Sequence, residues 1–283
     1  MKLGFVTEYK EERVKFAAQA GFDCLEVVVN PGGALDLPSM TKDQIENAAG
    51  VFKKNKVAVG MLHCTVNHLD PDPAKRAWNN KYMIKTMETA RQFGAEVISC
   101  NTWGDRNKTL KDNLPVYKEV FKEYAAVAEG NKVKIAMENC PHMASYPITI
   151  GNIGMSPATW KALFDAVPSK AIGLEYDPSH LFWLGVDYIK AVYEFGDRIF
   201  CVHAKDTEIM RDVFSRTGIY GDGWWRYRIP GWGEIDWKAF MKALNDVGFN
   251  GNMVIEHEDP VFGGERTDEG LKIGLKFLRQ FGA

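Results

Sequence analysis

Side chains that bind divalent cations stand at the ends of several short apolar segments of this 283-residue chain. Three carboxylates and one imidazole are placed in this way, at Glu138, Asp177, His203 and Glu256. Hard oxygen ligands with a single imidazole suit Mn²⁺, Mg²⁺ or Co²⁺ better than structural Zn²⁺, which favours thiolates and several imidazoles. Three carboxylates within a few ångströms of one another would not all ionise easily without a cation between them. We therefore expect a divalent metal site.

A metal site of this kind would act on a hydroxy-ketone. The ion polarises the carbonyl, makes the α-proton more acidic and stabilises the enediolate that forms when this proton leaves. Two general bases on opposite faces of the substrate can remove the proton from one side and return it to the other. Glu138 and Glu256 are the candidates for this pair, while Asp177 and His203 serve as ligands. His180 and Lys205 are placed to bind or protonate substrate oxygens.

Strand-like and helix-like segments alternate along the whole chain and would bring these residues together. The predicted strands are residues 3–6, 24–28, 57–62, 97–100, 134–137, 172–176, 199–202 and 253–255. Eight strand–helix units match the (β/α)₈ TIM barrel, of about 250 residues, better than an open doubly wound sheet. We expect a single-domain TIM barrel over residues 1–283, with the metal ligands at its C-terminal mouth.

Long connections are predicted after strands 3, 5 and 7, at residues 63–80, 140–157 and 207–236. In a barrel all three lie over the mouth, and the last, which is rich in glycine and aromatic residues, would form a lid. Aromatic rings stack well on the apolar face of a sugar. The expected substrate contacts in addition to His180 and Lys205 are Trp103 or one of Trp224 and Trp225, together with Asn101, His63 and Glu175.

The composition excludes several other classes of protein. Basic and acidic residues number 35 and 37, so the net charge of −2 supports no grip on nucleic acid or on a membrane surface. No apolar stretch reaches the ~20 residues of a membrane span, and no signal-peptide pattern opens the chain. The five cysteines form no Cys-x-x-Cys pair, which is typical of buried thiols in a reducing compartment. We therefore expect a cytoplasmic protein.

Five motifs resemble the xylose isomerase-like TIM-barrel superfamily of sugar isomerases and epimerases. They are MEN at 137–139, LEYDPSH at 174–180, VHAKD at 202–206, PGWGEIDW at 230–237 and VIEHED at 254–259. The resemblance implies one metal ion per chain, held by Glu138, Asp177, His203 and Glu256, with Mn²⁺ expected and Co²⁺ or Mg²⁺ as alternatives. It implies that His180 contacts the substrate, a sugar or keto-sugar. It also implies a homo-oligomer, with a partner subunit as an alternative.

Two positions depart from the pattern of the tagatose and psicose epimerases in this superfamily. Ile209 stands where that pattern has an arginine, and Ala144 stands where it has a second acid. His142, at the end of a turn stiffened by Pro141, is a further candidate base or leaving-group acid. With His142 the chemistry becomes β-elimination, a carbon–oxygen or carbon–carbon lyase reaction. The resemblance allows this alternative, because inosose dehydratase and enzymes that cleave 3-keto-glycosides belong to the same group.

Two alternative hypotheses assign the chain to other classes of protein. The endonuclease IV group of DNA-repair nucleases has an Asp-x-His pair after the strand-seven histidine and a histidine after strand four. Residues 211–217 offer no such pair, and Asn101 stands near the second place. The other reading is a barrel that only binds a sugar or supports a catalytic partner chain. A metal-free protein, or a Glu138→Gln variant that left its partner's activity intact, would favour it.

Overall fold

Eight parallel strands close into a barrel in the computed structural model, which describes residues 1–144 and 149–282. They are β1 (Lys2–Thr7), β2 (Cys24–Val29), β3 (Ala58–Cys64), β4 (Val97–Asn101), β5 (Lys134–Glu138), β6 (Ile172–Tyr176), β7 (Ile199–His203) and β8 (Asn252–Ile255). Each strand pairs in parallel with its neighbours in the chain, and β8 closes the ring against β1, where Phe5 lies opposite Ile255. The predicted TIM barrel is confirmed.

Helices follow the strands and pack around the barrel. They are α1 (Glu11–Ala20), α2 (Lys42–Asn55), α3 (Pro73–Phe93), α4 (Leu110–Asn131), α5 (Pro157–Ala166), α6 (Pro178–Trp183), α7 (Tyr188–Phe195), α8 (Arg211–Thr217), α9 (Trp237–Asp246) and α10 (Thr267–Leu278). Short 3₁₀ turns lie at Leu37–Ser39, Gly196–Arg198, Gly264–Arg266 and Arg279–Phe281. Among the described residues, no helix combines the length and apolar character needed to cross a lipid bilayer.

The connection after the third strand is shorter than predicted, because α3 begins at Pro73 and not near residue 81. The side chain of Asp72 accepts hydrogen bonds from the backbone N–H groups of Ala74 and Lys75, 2.8 and 3.2 Å away. Pro73 then fills the first helical position, where no N–H is needed. A capped start of this kind extends the helix by more than two turns and leaves only residues 65–72 as a loop.

The connections after β5 and β7 are long, as predicted, and both carry extra strands. Met143–Ala144 pairs with Thr149–Ile150 after β5, and residues 145–148 of this connection lie outside the described residues. After β7, Asp206–Ile209 pairs antiparallel with Trp225–Arg228 in what we call the lid hairpin. Buried Asp206 anchors the lid hairpin: one carboxylate oxygen accepts bonds from Trp237 Nε1 and the Gly231 N–H, the other from the Ile235 N–H.

A substitution at Gly4 tests the tight contact between β1 and β2. A Cβ at this position would lie 2.4 Å from the Cys24 carbonyl oxygen, and backbone at that distance does not yield easily. We expect Gly4→Ala to lower the free energy of unfolding by about 1–3 kcal/mol through overpacking. Gly50→Ala is the matched control, because Gly50 is an exposed position of α2 at which a Cβ meets no atom within 4 Å. The control should be neutral or stabilising by about 0.5–1 kcal/mol. Urea unfolding followed by circular dichroism measures both, and equal midpoints would contradict the prediction.

Candidate metal and active site

Four side chains from adjacent strands converge at the C-terminal mouth of the barrel. Glu138 ends β5, Asp177 directly follows β6, His203 ends β7 and Glu256 directly follows β8. One ligand atom of each residue lies within 4.8 Å of those of the other three. His203 Nδ1 is 3.0 Å from the Glu256 carboxylate and 3.5 Å from that of Glu138. The structure thus brings together all four of the ligands expected from the sequence.

This group of four fits a divalent cation. Asp177 Oδ2 and His203 Nδ1 are buried, yet neither has a hydrogen-bond partner among the described residues. Buried polar atoms without partners are rare because they lose their bonds to water and gain nothing in return. A cation between them would be bound by both atoms. Three carboxylates and one imidazole are the donors that Mn²⁺, Mg²⁺ and Co²⁺ accept.

Lys205 supplies positive charge beside these ligands. Its side chain is buried, and Nζ lies 2.5 Å from Glu256, 2.9 Å from Glu258 and 3.3 Å from Asp177. Burial lowers the pKa of Lys205, but these three carboxylates outweigh burial and raise its pKa well above the usual value. The ammonium group is therefore charged and offsets part of the negative charge of the site. Nζ also lies over the ring of Tyr227, 4.3 Å from its centre.

His180 connects the ligands to the lid hairpin. It lies in α6, whose first turn is capped by the Asp177 side chain through the Ser179 N–H, 2.8 Å away. His180 Nε2 faces Asp177 Oδ2 at 3.3 Å, and its Nδ1 bonds the Tyr227 hydroxyl at 2.8 Å. A ligand that is also a helix cap holds the neighbouring histidine in place. His180, an expected substrate contact, therefore lies beside the four candidate ligands. It also contacts Tyr227, which was not among the residues expected from the sequence.

A second polar layer lies beneath the ligands, inside the barrel. His203 Nε2 is 3.1 Å from Glu26 and 3.2 Å from Glu175. His63 Nδ1 faces the same two acids at 3.2 and 3.7 Å and contacts the Ser99 hydroxyl at 2.9 Å. With Nε2–H directed at these acids, Nδ1 of His203 is left for a cation, as with other metal-bound histidines whose second nitrogen is hydrogen-bonded.

The inner layer contains Glu175 and His63, which were both expected to contact substrate. Glu175 is fully buried on the far side of His203, so it orients the ligand and does not reach a substrate in the mouth. The contact of His63 with substrate stays a prediction, since its side chain is 15% exposed while Nδ1 points to the inner acids. Glu26 was missed, although an acid inside the apolar strand CLEVVV was a signal. His68 is a packing residue that contacts the Tyr124 hydroxyl at 3.0 Å.

Charged neighbours in the two layers shift pKa values in the direction opposite to that of burial. Burial lowers the pKa of His203, but Glu175, Glu256 and Glu26 raise it well above the usual value. Burial raises the pKa of Glu138, whereas the nearby imidazoles of His180 and His203 hold it well below the usual value. His203 and Glu138 thus each have groups of opposite charge within about 4 Å.

A cavity of about 620 Å³ lies between the connection after β5 and the lid hairpin. His142 lines it in the left-handed backbone region, with φ of 48°, and its Nε2 is 3.0 Å from Asn101 Oδ1. The edge of one ring meets the face of the other where His142 contacts Trp103, 4.9 Å between centres. Three expected site residues therefore meet here. Of the expected tryptophan pair, Trp225 lines the cavity and Trp224 is buried behind it.

A family model described as xylose isomerase-like TIM barrel matches residues 14–281. The chain belongs to this family. Two relatives are similar over most of their length: the uncharacterized protein YfiH of Bacillus subtilis, 27% identical over 99% of both chains, and an inosose isomerase of Bacillus velezensis, 27% identical over 93% of this chain and 88% of the relative. The solved structure of the IOLI protein with a bound zinc atom matches with a TM-score of 0.78 and 20% identity, over 99% of this chain and 98% of that one.

Removal of the His203 imidazole tests the proposed metal site. Bound Mn²⁺ should stabilise the protein, by about 2.7 kcal/mol at a concentration of about 100 times Kd. We expect His203→Gln to lose this thermal shift and the metal that remains bound after gel filtration. His68→Gln is the control, because it also replaces a buried histidine but leaves the four ligands intact. Elemental analysis and thermal unfolding with and without Mn²⁺ give the readout. Wild-type metal content in His203→Gln would contradict the assignment.

Proposed function

We propose that this chain is a divalent-metal-dependent isomerase or epimerase of a keto-sugar or a ring-shaped keto-polyol, with Mn²⁺ as the metal. The observation that carries the proposal is the placement of Glu138 and Glu256 on two sides of His203, 3.5 and 3.0 Å from its Nδ1. They come from β5 and β8, with β6 and β7 between them. A substrate bound over the metal group would present one face to each carboxylate. The inosose isomerase relative supports a ring keto-polyol.

The reaction then divides among the residues of the site. A divalent ion held by Glu138, Asp177, His203 and Glu256 would polarise the substrate carbonyl and offset the negative charge that follows loss of the α-proton. One glutamate takes the α-proton to its carboxylate oxygen, and the other delivers a proton to the opposite face or to the neighbouring carbon. Lys205, charged and in contact with Glu256, donates a hydrogen bond to a substrate oxygen. His180, held by Tyr227, orients a second oxygen.

Hydrogen–deuterium exchange tests this function directly. We expect the Mn²⁺-loaded protein to introduce deuterium into an isomer of one member of a panel of ketoses, inososes and keto-glycosides in deuterium oxide. Glu138→Gln and Glu256→Gln should lower this exchange by about 10²–10⁴-fold, since each removes a proton-transfer group. Glu269→Gln is the control, because Glu269 is an exposed acid paired with Arg266 and is not one of the four proposed ligands.

The two site variants need one further measurement, because both glutamates are also proposed ligands. Metal content is determined for each variant, and exchange is compared at full metal occupancy. Loss of exchange with metal retained supports a role in proton transfer. Full exchange in both variants at full occupancy would overturn the assignment of the pair.

A metal-dependent lyase is the second candidate, and the conformation of His142 favours it. A non-glycine residue at positive φ is strained by about 1–3 kcal/mol, and such strain is common at functional sites. Asn101 and Trp103 hold the His142 ring at the edge of the cavity. In this reaction a glutamate removes the α-proton, a double bond forms, and the bond to the β-oxygen breaks. The departing oxygen takes its proton from His142.

Replacement of His142 separates the two candidates. For an isomerase we expect His142→Gln to retain most of the deuterium exchange, because Glu138 and Glu256 are intact. For a lyase, release of water or of an alcohol should fall by about 10²–10⁴-fold while exchange at the α-carbon continues. Mass spectrometry of the products distinguishes deuterated isomers from dehydrated or cleaved ones. An equal loss of both reactions would show that His142 only supports the fold of the mouth.

A further inference from the structure

A second set of potential metal ligands lies in the inner layer and includes none of the four ligands at the mouth. One ligand atom each of Glu26, His63 and Glu175 lies within 4.8 Å of those of the other two. Both acids are fully buried, and His63 is 15% exposed. The hydroxyl of buried Ser99 lies beside them, 3.0 Å from Glu26 Oε1 and 2.9 Å from His63 Nδ1. Two carboxylates, an imidazole and a hydroxyl are therefore clustered inside the barrel.

Three of these residues occupy positions in the barrel interior that are ordinarily apolar. Glu26 lies on β2, Ser99 on β4 and Glu175 on β6. Alternate strands of a TIM barrel supply the side chains of one interior layer, which branched apolar residues usually fill. In the closed ring of strands, β2 and β6 lie on opposite sides. The two acids therefore bring negative charge from opposite walls into the interior, where it needs a positive partner.

Each of the two acids contacts His203 with one oxygen and turns the other oxygen toward His63. Glu26 Oε2 and Glu175 Oε1 lie 3.1 and 3.2 Å from His203 Nε2. Glu26 Oε1 and Glu175 Oε2 lie 3.2 and 3.7 Å from His63 Nδ1. Glu175 Oε2 is buried without a hydrogen-bond partner among the described residues, since 3.7 Å is too long for such a bond. A cation beside His63 Nδ1 would supply the partner that this oxygen lacks.

The charge and the spacing of these donors match a small divalent ion. An imidazole that binds an ion through Nδ1 and keeps its Nε2–H is neutral, so a metal-bound His203 offsets no charge of Glu26 and Glu175. One divalent ion balances both carboxylates. Around a four-coordinate ion with bonds of about 2.0–2.1 Å, ligand atoms lie about 3.3 Å apart. The distances that join His63 Nδ1 to Ser99 Oγ, Glu26 Oε1 and Glu175 Oε2 are 2.9, 3.2 and 3.7 Å, close to this value.

The number and type of donors favour Zn²⁺ here over the Mn²⁺ proposed for the mouth. Zn²⁺ binds imidazole nitrogen and carboxylate oxygen, most often with four ligands in a tetrahedral arrangement. Mn²⁺ is typical of octahedral sites with six oxygen ligands. The inner cluster offers four side-chain donors, of which one is a nitrogen. A compact tetrahedral ion therefore fits it better.

We propose that Glu26, His63, Ser99 and Glu175 form a second metal site, which binds Zn²⁺ inside the barrel. The ion joins β2 to β6 across the interior and fixes the two carboxylates that orient His203. Its role is structural, because three of its four ligands are fully buried and present no open position to a substrate. The site shares no ligand with the group at the mouth and goes beyond the proposed function.

The number of bound ions tests the second site. The full chain is treated with a chelator, dialysed against Zn²⁺, passed through gel filtration and subjected to elemental analysis. We expect two Zn²⁺ ions per wild-type chain, because Zn²⁺ also binds carboxylate and imidazole ligands such as those at the mouth. His63→Gln and His203→Gln should each retain one ion. With Mn²⁺ alone, wild type should retain one ion and His203→Gln none.

Two further variants keep the count decisive. His68→Gln is the matched control, because His68 is a buried histidine that contacts Tyr124 and belongs to neither group of ligands. It should retain both Zn²⁺ ions. Ser99→Ala removes one neutral donor and no charge, so it tests the site even where His63→Gln folds poorly. It should raise the Kd of the second Zn²⁺ ion by about tenfold or more.

Anomalous scattering at the zinc absorption edge locates the ions in crystals of the wild-type chain. We expect one peak at the mouth and one between Glu26, His63 and Glu175. A single Zn²⁺ ion per wild-type chain that is lost in His203→Gln, two ions in His63→Gln, or a second peak elsewhere on the chain would overturn the inner site. A single ion that is lost in His63→Gln and kept in His203→Gln would support the inner site and count against the metal site of the proposed function.

Discussion

The constraint on which the rest of the site depends is the burial of negative charge. Glu138, Asp177 and Glu256 surround His203 at the mouth of the barrel, and removing carboxylates from water is expensive unless positive charge comes with them. Lys205 provides one positive charge but contacts only two of the three. The negative charge that remains lies beside Asp177 Oδ2 and His203 Nδ1, and a divalent ion fits between these two atoms.

The barrel meets this constraint in layers along its axis. Glu26 and Glu175 lie deepest and hold Nε2 of His203, so that its other nitrogen faces the ligands. The four ligands form the next layer, one on each of four adjacent strands. Because the strands are parallel, every strand end points to the same mouth, where side chains from different strands meet. The lid hairpin, anchored by Asp206, completes the uppermost layer.

This layering explains which features were accessible from the sequence. The eight strands and the convergence of the four candidate ligands could be predicted because each of these residues stands directly at the end of an apolar segment, a relation local in the chain. Glu26 could not be assigned, because it meets His203 only after closure of the barrel, across 177 residues. Tyr227 escaped notice because its contact with His180 depends on the path of the long connection after β7. The early start of α3 depended on the cap at Asp72, and apolar periodicity does not contain this signal.

The lid hairpin carries one of the two departures from the epimerase pattern. Ile209, at the position where the epimerase pattern has an arginine, lies on this hairpin directly opposite Trp225. An arginine there would bind sugar hydroxyls through charged hydrogen bonds, whereas isoleucine beside an aromatic stack offers only apolar contact. The ligands below belong to the barrel strands and do not depend on this exchange. In the proposed function, proton transfer thus belongs to the strand ends and the choice of substrate to the lid hairpin, so the lid can depart from the epimerase pattern while the four candidate ligands are kept.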